Sequence, residues 1–205
     1  MKESITDLRI IRTKQSIRDA LVELLDEKGF EGITVKDITT RAKINRSTFY
    51  THYLDKFDLM TKCQEEIMYE LSRIVKLAFP SVIGEITTKS QTLSAFIYAV
   101  PLFEYLNENR KFLKAALSSK GDLSFQTKLK DFIWKTLFEN NSGMLLNEKD
   151  LLVPAHYLSS YISSAFIGVV QQWLNNDCKE SPEVMARILS TITMNGPYFA
   201  AGLKK

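Results

Sequence analysis

Glycine and proline are scarce in this sequence. Its 205 residues include 8 glycines and 5 prolines, about half of the roughly 12% that is usual for the two together. Sheets of many strands need frequent turns, and turns depend on these two residues. The shortage therefore favours few turns and long elements, and we expect an all-α fold.

Cysteine, histidine and long apolar runs are also in short supply. Cys63 and Cys178 lie far apart and outside any Cys-x-x-Cys pair, so neither a zinc site nor a disulfide framework is expected. The first four residues carry charges where a signal peptide needs an apolar core, and no stretch approaches the roughly 18 apolar residues that span a bilayer. We expect a cytoplasmic protein with no membrane partner, no metal and no cofactor.

Catalytic patterns are missing as well. His52 and His156 are the only histidines, and no Ser/His/Asp arrangement or metal-ligand spacing surrounds them. Gly84, Gly121 and Gly143 form no phosphate-binding loop. We therefore expect that the protein is not an enzyme.

Charge is present but unevenly distributed. The net charge is only +3, yet residues 8–18 hold four basic residues and no acid, whereas residues 19–31 hold five acids and one lysine. Residues 32–56 then hold five basic residues against two acids. Two basic patches near one another fit a polyanionic partner such as DNA, although charged faces also occur as ordinary solvated surface.

The spacing of apolar residues predicts about nine helices and two domains. Ile17, Leu21 and Leu24 form a helical stripe that Gly29 ends, and Pro80 is expected to stop the fourth helix before a linker over 81–90. We expect a DNA-binding domain over 1–60 and a helical effector and dimerisation domain over 61–205. The predicted helices cover about residues 8–28, 35–42, 46–52, 56–79, 93–107, 110–117, 122–140, 148–175 and 183–194.

The second and third helices have the pattern of a helix-turn-helix. Thr34 and Asp37 form a capping box, and Asn45 is placed to cap the third helix with its side chain. Two short helices joined by three residues are typical of a DNA-reading motif, although such hairpins also occur as plain packing units. The first turn of the third helix would enter the major groove, where Arg46 can donate two hydrogen bonds to a guanine.

The run from Gly32 to Leu59, GITVKDITTRAKINRSTFYTHYLDKFDL, resembles the N-terminal domain of the TetR/AcrR family of transcriptional regulators. The likeness covers about residues 8–60 and departs at Lys43, where the family commonly has glycine. It implies an all-α regulator whose helix-turn-helix binds DNA. The residues implied in DNA binding are Thr34, Thr48, Tyr50, His52 and Lys56 on the phosphate backbone and Lys36, Arg46, Ser47 and Thr51 near the bases.

The same resemblance implies that the last two long helices pair with those of a second copy. Segments 103–110 and 167–174 are similar to a C-terminal type found in regulators near dihydroxyacetone kinase genes. The apolar residues of the last two helices can equally form a core within one chain. The expected dimer residues are Tyr157, Tyr161, Ala165, Gly168, Trp173, Met185, Ile188 and Ile192.

The sequence therefore predicts a homodimeric transcription regulator. We expect a repressor that binds a palindromic operator as double-stranded DNA and leaves it when an effector binds. The alternative is a co-regulator that a protein partner switches in place of a small ligand. The sequence identifies neither the effector nor the residues that bind it.

Overall fold

A computed structural model of the chain describes residues 2–88, 94–139 and 148–202, and these residues form helices and connecting turns without a strand. The all-α expectation is confirmed. A short 3-10 turn covers Glu148–Asp150. The helices are α1 (Lys2–Gly32), α2 (Val35–Arg41), α3 (Arg46–Tyr50), α4 (Lys56–Thr88), α5 (Ser94–Glu108), α6 (Arg110–Ala116), α7 (Leu123–Phe138), α8 (Ala155–Asn175), α9 (Pro182–Asn195) and α10 (Pro197–Ala200).

Three helix boundaries differ clearly from the sequence prediction. Helix α1 begins at Lys2 rather than near residue 8. Helix α4 continues through Pro80 to Thr88, because a proline removes one hydrogen bond and can bend a helix without ending it. Helix α8 begins at Ala155 rather than near residue 148, because Pro154 occupies its N-cap position in an extended conformation. Residues 89 and 90 of the expected linker and Asn140 at the end of the seventh helix lie outside the described residues.

The first compact unit comprises Met1–Ile67 together with Ala115–Phe125. Helix α1 packs there against α2, and α2 packs against α3. The Phe30 ring at the end of α1 meets the Phe57 ring of α4 edge-on, with centroids 5.4 Å apart. The short segment Ala115–Phe125 belongs to this unit although it lies far along the chain, and the backbone N–H of Phe30 donates to the Lys120 carbonyl at 2.9 Å. The fully buried large side chains of the unit include Ile17, Leu21, Leu24, Leu25, Ile33, Ile38, Phe49, Leu59 and Met60.

The second compact unit comprises Met68–Lys114 and Gln126–Lys205. Helix α5 packs on α9, and the Phe103 ring meets Trp173 edge-on with centroids 5.4 Å apart. The Trp173 Nε1–H donates to the Glu180 carbonyl at 3.0 Å, so the indole is both packed and hydrogen-bonded. Ser181 caps α9 as predicted, since its side chain accepts from the Val184 N–H.

Two residues expected at a dimer face lie in the core of this unit. Trp173 is 2% exposed and Met185 is 4% exposed. The sequence prediction for these two residues needs correction, because helical spacing places an apolar residue on a face without telling which neighbour covers that face.

The turn between α2 and α3 places a lysine in left-handed backbone. Lys43 has φ of 55°, and the turn closes through a hydrogen bond from the Ile44 N–H to the Thr39 carbonyl at 3.0 Å. The left-handed region favours glycine because an L-residue's Cβ crowds the following carbonyl there. The departure of Lys43 from the family pattern therefore introduces local strain without changing the turn.

We predict that Lys43→Gly stabilises the protein by about 0.5–1 kcal/mol, because left-handed backbone costs an L-residue about 1–2 kcal/mol and glycine's freedom in the unfolded chain cancels part of the gain. Urea denaturation followed by circular dichroism measures the change. The matched control is Lys36→Gly, in the regular helix α2, which should destabilise by about 1 kcal/mol. Equal losses from both variants would contradict the strain at Lys43.

Candidate nucleic-acid interface

Helix α2 starts at the capping box that the sequence predicts. The Asp37 N–H donates to Thr34 Oγ1 at 3.2 Å, and the Thr34 N–H donates to Asp37 Oδ2 at 3.0 Å. The Lys28 ammonium lies 2.8 Å from the Asp37 carboxylate. Hydrogen bonds from Lys28 and Thr34 hold the pKa of Asp37 well below its ordinary value. The first turn of α2 is thereby fixed to the end of α1.

A second ion cluster fixes the other end of α2. The Arg41 guanidinium lies 2.9 Å from the Glu23 carboxylate and 2.7 Å from the Glu27 carboxylate. These hydrogen bonds raise the pKa of Arg41 and lower that of Glu27. Because Asp37 meets Lys28 and Arg41 meets Glu23, α2 runs antiparallel to α1.

Helix α3 is a single short helix anchored by one buried ring. Phe49 is fully buried and lies 5.6 Å from the Tyr53 ring centroid. Asn45 holds the N-cap position in extended backbone, but its side chain makes no capping hydrogen bond, so the expected side-chain cap is wrong. Packing of Phe49, rather than a cap, sets the position of α3.

Five of the nine expected DNA-binding residues point outward without a side-chain capping role. The Tyr50 side chain is 51% exposed. The Thr51 hydroxyl donates to the Thr48 carbonyl at 2.7 Å, so it keeps an oxygen available as an acceptor. The exposed residues are Lys36, Arg46, Ser47, Tyr50 and Thr51.

The other four expected residues make hydrogen bonds within the protein or are half-buried. Thr34 is exposed, but its hydroxyl serves the capping box, and Thr48 and His52 are half-buried. The Lys56 ammonium donates to the Phe30 carbonyl at 2.9 Å and to the Glu31 carbonyl at 3.0 Å. An ammonium has three donors, so Lys56 retains one for a phosphate.

Lys56 thus has a role that the sequence does not indicate. Its ammonium also lies 5.0 Å from the Phe30 ring centroid and 5.1 Å from that of Phe57, within the range of a cation–π interaction. The side chain ties the start of α4 to the end of α1. A contact between residues 26 positions apart leaves no local pattern in a sequence.

The start of α4 is capped in the expected way. Asp55 Oδ1 accepts the N–H groups of Phe57 and Asp58, both at 2.8 Å. Asp58 Oδ2 in turn accepts the Leu54 N–H at 2.9 Å, which lowers the pKa of Asp58. Helices α2 and α4 therefore both begin at well-defined points beside the end of α1.

The second unit carries a separate apolar strip on α8 and α9. Tyr157 is 67% exposed, Tyr161 57% and Ile188 38%. Ala165 and Gly168 are exposed on the same helix, α8, and Ile192 is half-buried on α9. A Cβ at Gly168 would meet nothing within 4 Å. The six remaining residues of the expected dimer face are thus accessible in the single chain.

Two absences concern the described part of the chain. Within residues 2–88, 94–139 and 148–202, no group of three or more His, Cys, Asp or Glu side chains is arranged to hold a metal ion. None of the helices described there is both long and apolar enough to cross a membrane.

Comparison with protein families gives two matches that together cover most of the chain. The model for bacterial regulatory proteins of the tetR family matches residues 17–63. The model for a transcriptional regulator C-terminal region matches residues 94–195. The uncharacterised HTH-type transcriptional regulator YxbF of Bacillus subtilis (strain 168) is 26% identical over 193 residues, which are 91% of this chain and 46% of that protein. The chain therefore spans about half the length of this curated relative.

Several solved structures share the fold. A TetR transcriptional regulator from Streptococcus agalactiae 2603V is 22% identical with a TM-score of 0.59, covering 93% of this chain and 98% of that one. NalD, the secondary repressor of the MexAB-OprM multidrug efflux pump in Pseudomonas aeruginosa, is 16% identical with a TM-score of 0.61, covering 90% and 95%. The dihydroxyacetone kinase operon activator DhaS is 18% identical with a TM-score of 0.52, covering 89% and 94%.

The capping box predicts a pH-dependent stability. Asp37→Asn should lower the free energy of unfolding at neutral pH, because the depressed pKa of Asp37 means that its charged form stabilises the folded state. That contribution is complete above the unfolded pKa of about 3.9 and is lost as the pH falls toward the folded value. The difference between wild type and variant, measured by urea denaturation at several pH values, should therefore shrink in acid.

The control variant is Asp26→Asn, an exposed carboxylate in the body of α1. It should show a smaller difference from wild type at neutral pH. A difference for Asp37→Asn that stays constant from neutral pH to below pH 3 would contradict the role assigned to the carboxylate.

Proposed function

Because the chain belongs to the TetR family, we propose that it is a DNA-binding transcription regulator that acts as a homodimeric repressor on a palindromic operator. An effector then releases it from DNA. Double-stranded DNA and a second copy of the chain are the proposed partners, and the cytoplasm, where a bacterial chromosome lies, is the proposed location.

The outward face of α3 carries this proposal. Arg46, Ser47 and Tyr50 are exposed, while Phe49 on the opposite side is fully buried. A helix held by one buried ring and presenting a guanidinium at its first turn fits the major groove, which admits one helix. Arg46 is the residue proposed to read a base, since its planar group can donate to both acceptors of a guanine.

The remaining exposed polar groups have two proposed roles. Tyr50 offers a phenol donor to the phosphate backbone, and such contacts fix the position of a protein on the duplex without reading sequence. Lys36 offers an ammonium near the bases. Ser47 and Thr51 lie beside Arg46 on the same short helix or at its end. The proposed contacts to the DNA phosphate backbone also include four residues that keep donors or acceptors beyond their intramolecular hydrogen bonds. These residues are Thr34, Thr48, His52 and Lys56.

The exposed strip on α8 and α9 supports a dimer. Two aromatic residues, Tyr157 and Tyr161, stand one helical turn apart, and small residues at Ala165 and Gly168 continue the face and allow close approach of a second helix. A single α3 touches few base pairs, whereas a twofold pair reads a pseudo-palindrome. The proposed interface consists of Tyr157, Tyr161, Ala165, Gly168, Ile188 and Ile192.

Release by an effector needs a connection to the DNA-binding unit, and the chain supplies one. The segment Ala115–Phe125 follows α6 and precedes α7, yet it packs within the first unit. The Gln64 amide, which is fully buried, donates to Asp122 Oδ2 at 2.8 Å. A change in α6 or α7 that moves this segment would reach α4 through this part-buried hydrogen bond. A protein partner in place of a small effector would use the same connection.

The direct test is selection of duplexes bound by the purified chain, followed by titration of the selected operator. We predict that Arg46→Ala relaxes preference at one base position, with a loss of about 1–3 kcal/mol of discrimination. Tyr50→Phe should weaken binding to selected and mixed-sequence DNA alike, because phosphate contacts carry no sequence information. Fluorescence anisotropy measures both.

Lys111→Ala, an exposed lysine of α6, serves as the control and should leave affinity and preference unchanged. If Arg46→Ala lost the same free energy on matched and mismatched operators, base reading by Arg46 would be disproved. If the wild-type protein selected no duplex sequence, the proposed function as a whole would be contradicted.

A dimer that forms through α8 and α9 should dissociate when a charge is placed in the strip. We predict that Tyr161→Glu shifts the protein from dimer to monomer, because an ionised carboxylate in a desolvated interface is unpaired. Sedimentation velocity measures the change. The matched control is Tyr69→Glu on α4, where the tyrosine is 69% exposed, and this variant should remain dimeric; equal behaviour of the two would argue against this interface.

A further inference from the structure

The first half of α1 carries a basic stripe that no element of the DNA-binding motif uses. Arg9 and Arg12 are exposed, and residues 8–18 contain no acid. Within the described residues neither guanidinium has an acidic partner, in contrast to Arg41, which lies between two glutamates. We call Arg9 and Arg12 the N-terminal pair.

The N-terminal pair lies on the side of α1 that faces the helix-turn-helix. An α-helix turns about 100° per residue, so Arg9 points in the same direction as Glu27, five turns later. Arg12 lies within about 20° of Glu23 by the same count. Both glutamates contact Arg41 at the end of α2. The face of α1 that contacts α2 through acidic residues therefore carries basic residues nearer to the start of α1.

The direction of the chain brings α3 toward the N-terminal pair. Helix α2 runs antiparallel to α1. The turn that leads from α2 into α3 therefore lies nearer to the earlier residues of α1. Burial raises the pKa of Tyr53, which follows α3, and the nearby charges of Glu66 and Arg18 also act on that pKa. Arg18 and Glu66 lie 3.5 Å from one another. The end of α3 is therefore near Arg18, and Arg12 lies about 9 Å and Arg9 about 14 Å further along the α1 axis at 1.5 Å per residue.

We propose that Arg9 and Arg12 bind phosphate groups of the DNA backbone beside the groove that α3 occupies. This inference rests on the proposed DNA-binding function and adds a contact outside the helix-turn-helix. Guanidinium groups on a helix flank, beyond the end of the groove-reading helix, are placed for phosphates rather than base edges. Two phosphate contacts per protomer lengthen the bound stretch of duplex and make binding more salt-dependent without changing sequence preference.

The test compares Arg9→Ala/Arg12→Ala with the charge-conserving Arg9→Lys/Arg12→Lys in the full chain. Each neutralised phosphate contributes about 0.9 to the slope of log Kobs against log salt on duplex DNA. The alanine pair should therefore reduce that slope by about 1.8 per protomer, with an equal fold-loss of affinity on the selected operator and on a mixed-sequence duplex. The lysine pair should keep most of the wild-type slope.

Lys111→Ala/Lys130→Ala is the matched control, since it removes two exposed cations from α6 and α7. If the alanine pair and this control show the same slope as wild type, the proposal for Arg9 and Arg12 is overturned while DNA binding stands. If the alanine pair loses affinity on the operator alone, the two arginines read sequence and the phosphate assignment is wrong. Failure of wild type to bind either duplex overturns the proposed function itself, and circular dichroism shows whether each variant is folded.

Discussion

Termination of α1 is the constraint on which the rest of the first unit depends. Helical geometry breaks at Gly29, which has φ of 70°, and the last carbonyl groups of a helix have no partners within it. Lys120 Nζ donates to the Asp26 carbonyl at 2.9 Å, and Lys56 Nζ donates to the Phe30 and Glu31 carbonyls. The hydrogen bonds to the carbonyl groups at the end of α1 thus join three segments that lie far apart in the sequence.

This arrangement places the elements of the helix-turn-helix relative to one another. Two residues separate the end of α1 from the start of α2, and α4 starts where Lys56 meets the end of α1. The exposed ion pairs around Arg41 and Asp37 contribute modestly to stability, as surface pairs do, but they define the direction of α2. The orientation of α3 then follows from burial of Phe49 and from the left-handed turn at Lys43.

The apolar residues of α8 divide between two environments in the second unit. Trp173 and Val170 are buried in the protomer, whereas Tyr157 and Tyr161 on the first half of the helix are exposed. Ser159 and Ser163 of the first half are buried as well, so one face of the helix packs in the protomer while the face that carries Tyr157 and Tyr161 stays open. An exposed face rich in large apolar side chains is typical of an interaction surface.

The amino-acid sequence by itself determined the elements: the helices through apolar spacing, and their starts through Thr34 with Asp37, Asp55 with Asp58, and Ser181. It also determined the helix-turn-helix, because caps, turns and periodicity are local and act over a few residues. Only the tertiary structure decided that Ala115–Phe125 packs with the first unit, that Lys56 binds the end of α1, and that Trp173 and Met185 are buried. Those outcomes depend on contacts between distant residues, and a pattern of spacing shows which face is apolar without showing what covers it.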